Sequence, residues 1–259
     1  MLKETLHGSE IGLGETIVNQ YGVPGTLGCF AYLGKDNTRV LLSSYHVLFG
    51  KGGKRRENVQ LVKNGQGHQP EFFVLGKTLA GKVGTVDYCG APYYIDCAVA
   101  EISPNWQINT CVPSAKTAIR GVATAELGSR VRKISGLTGI TEGIVTDINY
   151  PDEAYVGSRV WEAPNQILIK PVMHIGNSDD KPRFSTPGDS GAAILNEDNK
   201  IIGLQWGCNG KGEGVACHIE PVIQFLNLEI VVEKIGVLQR FLDRLFRNRA
   251  DIEDVGEMT

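Results

Sequence analysis

No run of apolar residues in this 259-residue chain approaches the roughly 20 needed to cross a bilayer as a helix. The opening stretch MLKETLHGSEIGLGE has no apolar core of a secretory leader, so a cytoplasmic location with no membrane partner is expected. An excess of one charge is missing too. Lys and Arg total 26 against 29 Asp and Glu, a net −3, so bulk charge draws the chain to neither nucleic acid nor an anionic surface. The one dense basic run, Lys51, Lys54, Arg55 and Arg56, falls in a Gly-rich turn and reads as a solvated loop. His7, His46, His68, His174 and His218 include no pair at helical spacing, and the cysteines include no CxxC. Zinc chemistry is therefore not expected, nor any other metal or cofactor. Cys29, Cys89, Cys97, Cys111, Cys208 and Cys217 lie in apolar surroundings and read as free thiols, with Cys208 and Cys217 the only pair placed to bridge a hairpin. No internal repeat is visible.

Glycine, by contrast, is plentiful at 32 residues, and it punctuates short runs rich in Val, Ile, Thr and Tyr. That pattern predicts many short antiparallel strands and an all-β fold. Expected strands are Gly28 to Leu33, Arg39 to Ser43, Asp96 to Glu101, Arg130 to Ile134, Gly143 to Ile148, Gln166 to Val172, Ala192 to Leu195, Ile201 to Trp206 and Gly214 to His218. Helical periodicity starts only near Pro221. A divide around Ser114 to Gly121 splits the strands into similar halves.

Serine-based acyl transfer needs a hydroxyl, an imidazole to take its proton, a carboxylate to orient the imidazole, and backbone donors for the oxyanion. Ser190 sits in Thr186-Pro187-Gly188-Asp189-Ser190-Gly191, whose glycines allow a tight bend, and a hairpin of Ala192 to Leu195 with Ile201 to Gly207 follows. His46 follows an apolar strand and two serines, and Asp96 heads the apolar run Cys97-Ala98-Val99-Ala100. Each alone is also an ordinary structural residue; their conjunction is the evidence, and their order His, Asp, Ser with spacings of 50 and 94 residues counts through the family likeness that follows. An α/β-hydrolase needs G-x-S-x-G and the order Ser, acid, His, and this chain has neither.

These motifs resemble the trypsin/chymotrypsin-like serine peptidases. In style they are nearest the bacterial glutamyl endopeptidases and, in Ser135 to Val145, the streptogrisin-type members. The resemblance spans residues 14 to 228. It implies two antiparallel six-stranded β-barrels, 14–115 carrying His46 and Asp96 and 116–228 carrying Ser190, followed by a helical tail over 229–259. It implies a serine endopeptidase acting on protein or peptide substrates, with Gly188 and Ser190 N–H groups as the oxyanion hole. The substrate-binding positions it implies are Phe184, Ser185, Gln205, Trp206, Gly207, Gly214 and Ala216. Phe184 stands where members specific for Lys or Arg carry an acid. Gln205 stands where the glutamyl-specific ones carry His, so Lys181 and Arg183 nearby do not secure an acidic preference and an uncharged or polar acyl-side residue is expected.

There are departures from the family. No disulfide flanks His46, because Val47 follows it. Ile17-Val18-Asn19 bears only a faint likeness to an activation terminus, so Asp189 is expected to find a basic side chain within the fold, Arg132 or Lys133. The alternative function is a catalytically silent or partner-activated binding module on the same fold. In the tail, Val237, Leu238, Phe241, Leu242, Leu245 and Phe246 form an apolar helical stripe, read as packing on the second barrel or as docking a partner or second copy, and Asp251 to Glu257 reads as a disordered end.

Overall fold

Short β-branched runs bounded by Gly, Asn and Asp fold as strands because extended backbone suits those side chains and a positive φ suits the turn residues. The computed structural model describes residues 9–50, 52–64, 69–113, 117–156, 159–172 and 182–232. The readings placed on His7, Lys51, His68, His174, Lys181, the Val237 to Phe246 stripe and the acidic end lie outside them.

The N-terminal half holds β1 (Glu10–Ile11), β2 (Thr16–Asn19), β3 (Pro24–Thr26), β4 (Cys29–Leu33), β5 (Thr38–Ser43), the single turn α1 (Tyr45–Leu48), β6 (Asn58–Asn64), β7 (Pro70–Tyr88) and β8 (Ala91–Ile102). Then come β9 (Gln107–Ile108), β10 (Cys111–Val112) and β11 (Thr117–Ala118). The C-terminal half holds β12 (Gly121–Val122), β13 (Arg130–Ser135), β14 (Gly139–Val156), β15 (Arg159–Pro171), β16 (Ala193–Asn196), β17 (Lys200–Cys208), β18 (Gly214–His218), α2 (Ile219–Leu226) and β19 (Leu228–Ile230).

Two sheets carry the fold. The first runs β19-β4-β5-β8-β7-β6-β2-β3, so β3 and β19 are short additions to a body of six strands. The second runs β12-β17-β16-β13-β14-β15-β18, and a further β17–β18 pairing closes a ring of six, with β12 joined in parallel outside it. Leu41, Leu61, Val99 and Phe30 fill the first interior, and Val131, Val145, Ile169 and Ile202 the second. The β14–β15 hairpin reaches across to the first barrel, where Ala154 and Ala163 bury the ring of Tyr94. Gln166 Nε2 donates to Tyr94 O at 3.0 Å and Asn165 Nδ2 to Pro92 O at 2.7 Å, tying that contact down.

Three expectations are corrected or settled. The segment from residue 229 does not begin as a helix. Asn227, in the left-handed region at φ 54, ends α2, and Leu228, Glu229 and Ile230 pair with Leu33, Tyr32 and Ala31. The open edge of β4 offers these residues a ladder, and a left-handed cap turns the chain onto it. Cys208 lies opposite Gly214 and Cys217 opposite Leu204, so the hairpin does not bring the two thiols together, and all six cysteines are free. Ile17-Val18-Asn19 forms the body of β2, laddered to β3 and β6.

Candidate active site

β5 ends at Ser43, whose Oγ donates to Thr26 O at 2.8 Å, while Ser44 Oγ donates across the barrel boundary to Gln205 O at 3.0 Å. The chain then makes the turn α1, and burial of Val47 and Leu48 in the first core leaves His46 on the outer side. Asp96 comes from β8, which is buried on both faces because the second barrel covers the side that the first does not. Its Oδ2 lies 2.6 Å from His46 Nδ1, and its Oδ1 accepts the His46 backbone N–H at 3.1 Å. A carboxylate can only accept, so Nδ1 carries the proton and Nε2 is left as the base. The His46 side chain is 38 % exposed and that of Asp96 only 4 %. Burial pushes the His46 pKa down, but the charge and hydrogen bond of Asp96 outweigh it, and the net direction is upward from the usual histidine value.

Ser190 lies in a turn pinned from both barrels. Gly191 N–H donates to Gln205 O at 2.7 Å on one side, and on the other Thr26 N–H donates to Ser190 O at 2.8 Å and Thr26 Oγ1 to Gly188 O at 3.0 Å. Asp189 N–H closes onto Thr186 O at 3.1 Å, with Pro187 and Gly188 as the central pair and Gly188 at φ 102. Pro then a positive-φ Gly is the type II turn pattern, which flips the central peptide and turns the Gly188 N–H to the outside. Among the described residues neither the Gly188 nor the Ser190 N–H donates a hydrogen bond. Two neighbouring donors thus stand unclaimed beside a hydroxyl, the arrangement a developing oxyanion needs.

The Asp189 carboxylate fixes this turn. It accepts from Lys133 Nζ at 2.8 Å, Thr138 Oγ1 at 2.8 Å and the Thr186 N–H at 2.9 Å. Lys133 and Asp189 are both wholly buried, and burial lowers the Lys133 pKa while Asp189 opposes that fall. Of the two basic candidates the structure takes Lys133; Arg132 bonds Asn199 instead. The sequence held the signal. Along β13 Val131, Lys133 and Ser135 share the inward face, and a charge on that face requires a buried partner. Thr26 carried no such signal, because its role exists only once the two barrels meet, and Thr138 carried none because its partners Lys133 and Asp189 reach it only when the second barrel has closed.

The expected substrate-binding residues divide by exposure. Trp206 and Gly207 are partly exposed at the edge of β17, whereas Phe184, Ser185, Gln205, Gly214 and Ala216 are buried. The Phe184 ring presses on Gly143 and Gly214, where an added Cβ would come within 2.8 and 2.5 Å of it. Gln205 Nε2 reaches Gly207 O, and its Oε1 is buried without a partner among the described residues. The Trp206 indole donates to Gln166 Oε1 at 2.7 Å and packs on Tyr94. The Ser190 hydroxyl donates to Trp206 O at 3.3 Å, and among the described residues no hydrogen bond joins it to His46.

No family model matches the chain, and no curated protein matches it. Solved structures do. A Nocardiopsis protease superposes with a TM-score of 0.57 at 16% identity, covering 86% of this chain and 99% of its own. Protease A of Thermobifida fusca gives 0.57 at 14% identity, covering 86% and 100%. A glutamic acid specific serine protease, described as using a histidine triad in substrate binding, gives 0.57 at 16% identity, covering 85% and 100%. The fold is therefore the chymotrypsin-like double barrel of bacterial serine proteases.

Proposed function

We propose that the protein is a serine endopeptidase that cleaves peptide bonds through an acyl-enzyme, with His46, Asp96 and Ser190 as its triad and the N–H groups of Gly188 and Ser190 as its oxyanion hole. One conjunction carries the reading: the 2.6 Å His46–Asp96 pair leaves Nε2 as a base, and Ser190 lies on a turn with two unclaimed amides. As substrate enters, the Ser190 hydroxyl turns from Trp206 O to His46 Nε2, and active-site hydrogen bonds often tighten only at that stage. Oγ bonds to the scissile carbonyl carbon, His46 takes the Oγ proton, and the carbonyl oxygen becomes an oxyanion held by the two amides. Collapse of that intermediate breaks the C–N bond, and the amine leaves with the proton from His46. Water then repeats the sequence on the ester and frees Ser190. Asp96 keeps its charge throughout and holds Nδ1–H.

On the acyl side we expect an uncharged or polar residue, since Phe184 rather than a carboxylate stands at the position that the family likeness gives for the pocket floor; peptide-library cleavage dominated by Lys or Arg overturns this. A fluorophosphonate probe tests the central reading. Ser190→Ala should lose both labelling and at least roughly a thousandfold in hydrolysis while keeping the wild-type fold, and retained hydrolysis refutes the assignment. One observation favours the partner-activated or silent alternative, namely the Ser190 hydroxyl bonded away from His46. Labelling that needs added cell extract selects activation, and no labelling in either condition selects a binding module.

A further inference from the structure

The turn between β13 and β14 presents Leu137 beside the oxyanion donors. Leu137 is 62% exposed, yet its Cδ2 lies 2.7 Å from where a Cβ on Gly188 would stand. The turn that carries it is anchored on every side. Leu137 N–H donates to Ser135 Oγ at 3.1 Å, Thr138 Oγ1 to Asp189, Lys133 Nζ to Thr138 Oγ1 at 2.9 Å, and Gly136 is pressed against Thr16. An apolar side chain is thus held in water by the same carboxylate that shapes the nucleophile turn.

Its side of the cleft follows from the hydrogen bonds. The Ser190 turn lies between β17, reached through Gly191 and Gln205, and Thr26, which holds Ser190 O and Gly188 O. A substrate whose acyl half runs along Trp206 and Gly207 must carry its leaving half out on the opposite side, over Thr26, Gly188 and Leu137.

Resting on the peptidase reading, we infer that Leu137 forms an apolar subsite for the leaving half of the substrate, taking a bulky apolar side chain from the first two residues beyond the scissile bond. Burying such a side chain against it favours apolar over polar residues there. The test compares two peptides that share one acyl half and differ by Leu or Asn in the leaving half, together with the methyl ester of that acyl half, which has no leaving peptide. In wild type the Leu peptide should be cleaved faster. Leu137→Ser should cut kcat/KM for the Leu peptide roughly tenfold and leave the Asn peptide and the ester unchanged, while Leu137→Met keeps the preference. An unchanged Leu-to-Asn ratio in Leu137→Ser, or an equal loss on the ester, overturns the subsite. A wild type that hydrolyses none of the three and takes no fluorophosphonate label, with or without cell extract, overturns the peptidase reading and this one with it.

Discussion

Replacing Lys133 by Met removes the positive half of a wholly buried ion pair while nearly keeping its volume. Asp189 would retain Thr138 Oγ1 and the Thr186 N–H, but neither supplies charge. Leaving one member of a buried pair uncompensated costs about 3–5 kcal/mol. Domains of about this size hold only some 5–15 kcal/mol in total, so the loss is a large share of stability. At about 2–4 °C per kcal/mol, the melting temperature should fall by roughly 6–20 °C, read by calorimetry or near-ultraviolet dichroism. Turnover should fall further than stability explains, because Asp189 is what holds the turn that exposes the Gly188 and Ser190 amides. The double variant Lys133→Met/Asp189→Leu separates the two effects. An apolar pair in place of the ionic one should recover most of the stability, and without the carboxylate bond to Thr186 the turn should stay slow. A Lys133→Met protein that melts within 2 °C of wild type, an interval set by roughly 1 kcal/mol, and keeps full turnover refutes the reasoning.

Other outcomes follow from the same geometry. Asp96 favours protonated His46, so the neutral base appears only at higher pH: kcat/KM should fall with acid through a midpoint above the usual histidine value of about 6.5, and a lower midpoint contradicts the pairing. In Asp96→Asn the charge is lost while burial remains, so the midpoint should move down from that of wild type while the rate drops by orders of magnitude, as a pH–rate series would show. Gly188→Ala places a side chain at φ 102, which costs about 1–3 kcal/mol unless the turn rotates its amide away, and a loss of about a hundredfold in turnover with a small change in melting is expected. All six thiols should titrate in denatured, unreduced protein. In native protein Cys89, Cys111 and Cys208 should react first, since burial encloses the other three and pushes Cys29 and Cys217 up to about 12. Three bridges instead would sink the proposal of a reducing cytoplasmic environment.

Strands with plain alternation or a continuous apolar run were legible, and Gly214 to His218 matches β18 end to end. The long β7 was not. Its Gly76, Gly81 and Gly84 read as turn punctuation, yet the first two are required because β8 passes too close for a Cβ: Glu101 O would lie 1.7 Å away at Gly76 and the Ala98 Cβ 2.6 Å away at Gly81. A glycine needed for close approach looks in sequence like a glycine needed for a turn. At the site, the three catalytic candidates stood out because each sits in a chemically marked motif. Leu137 did not, because an apolar residue in a Gly-Thr turn is marked only by what lies next to it. Thr26 was equally unmarked. It carries one amide and one hydroxyl from the first barrel to the Ser190 turn of the second, and nothing in PGTLG announces that.

The pairing of β19 with β4 bears on how the protein is made. Residues near position 30 leave the ribosome early, but their edge stays unpaired until Leu228 to Ile230 have been synthesised, by which time Ser190 is already out. Such long-range closure is slow, and while it waits the first barrel has an open strand exposed to wrong partners. The last described strand thus acts as a clasp on the first barrel, one that can be set only after the second barrel has been synthesised.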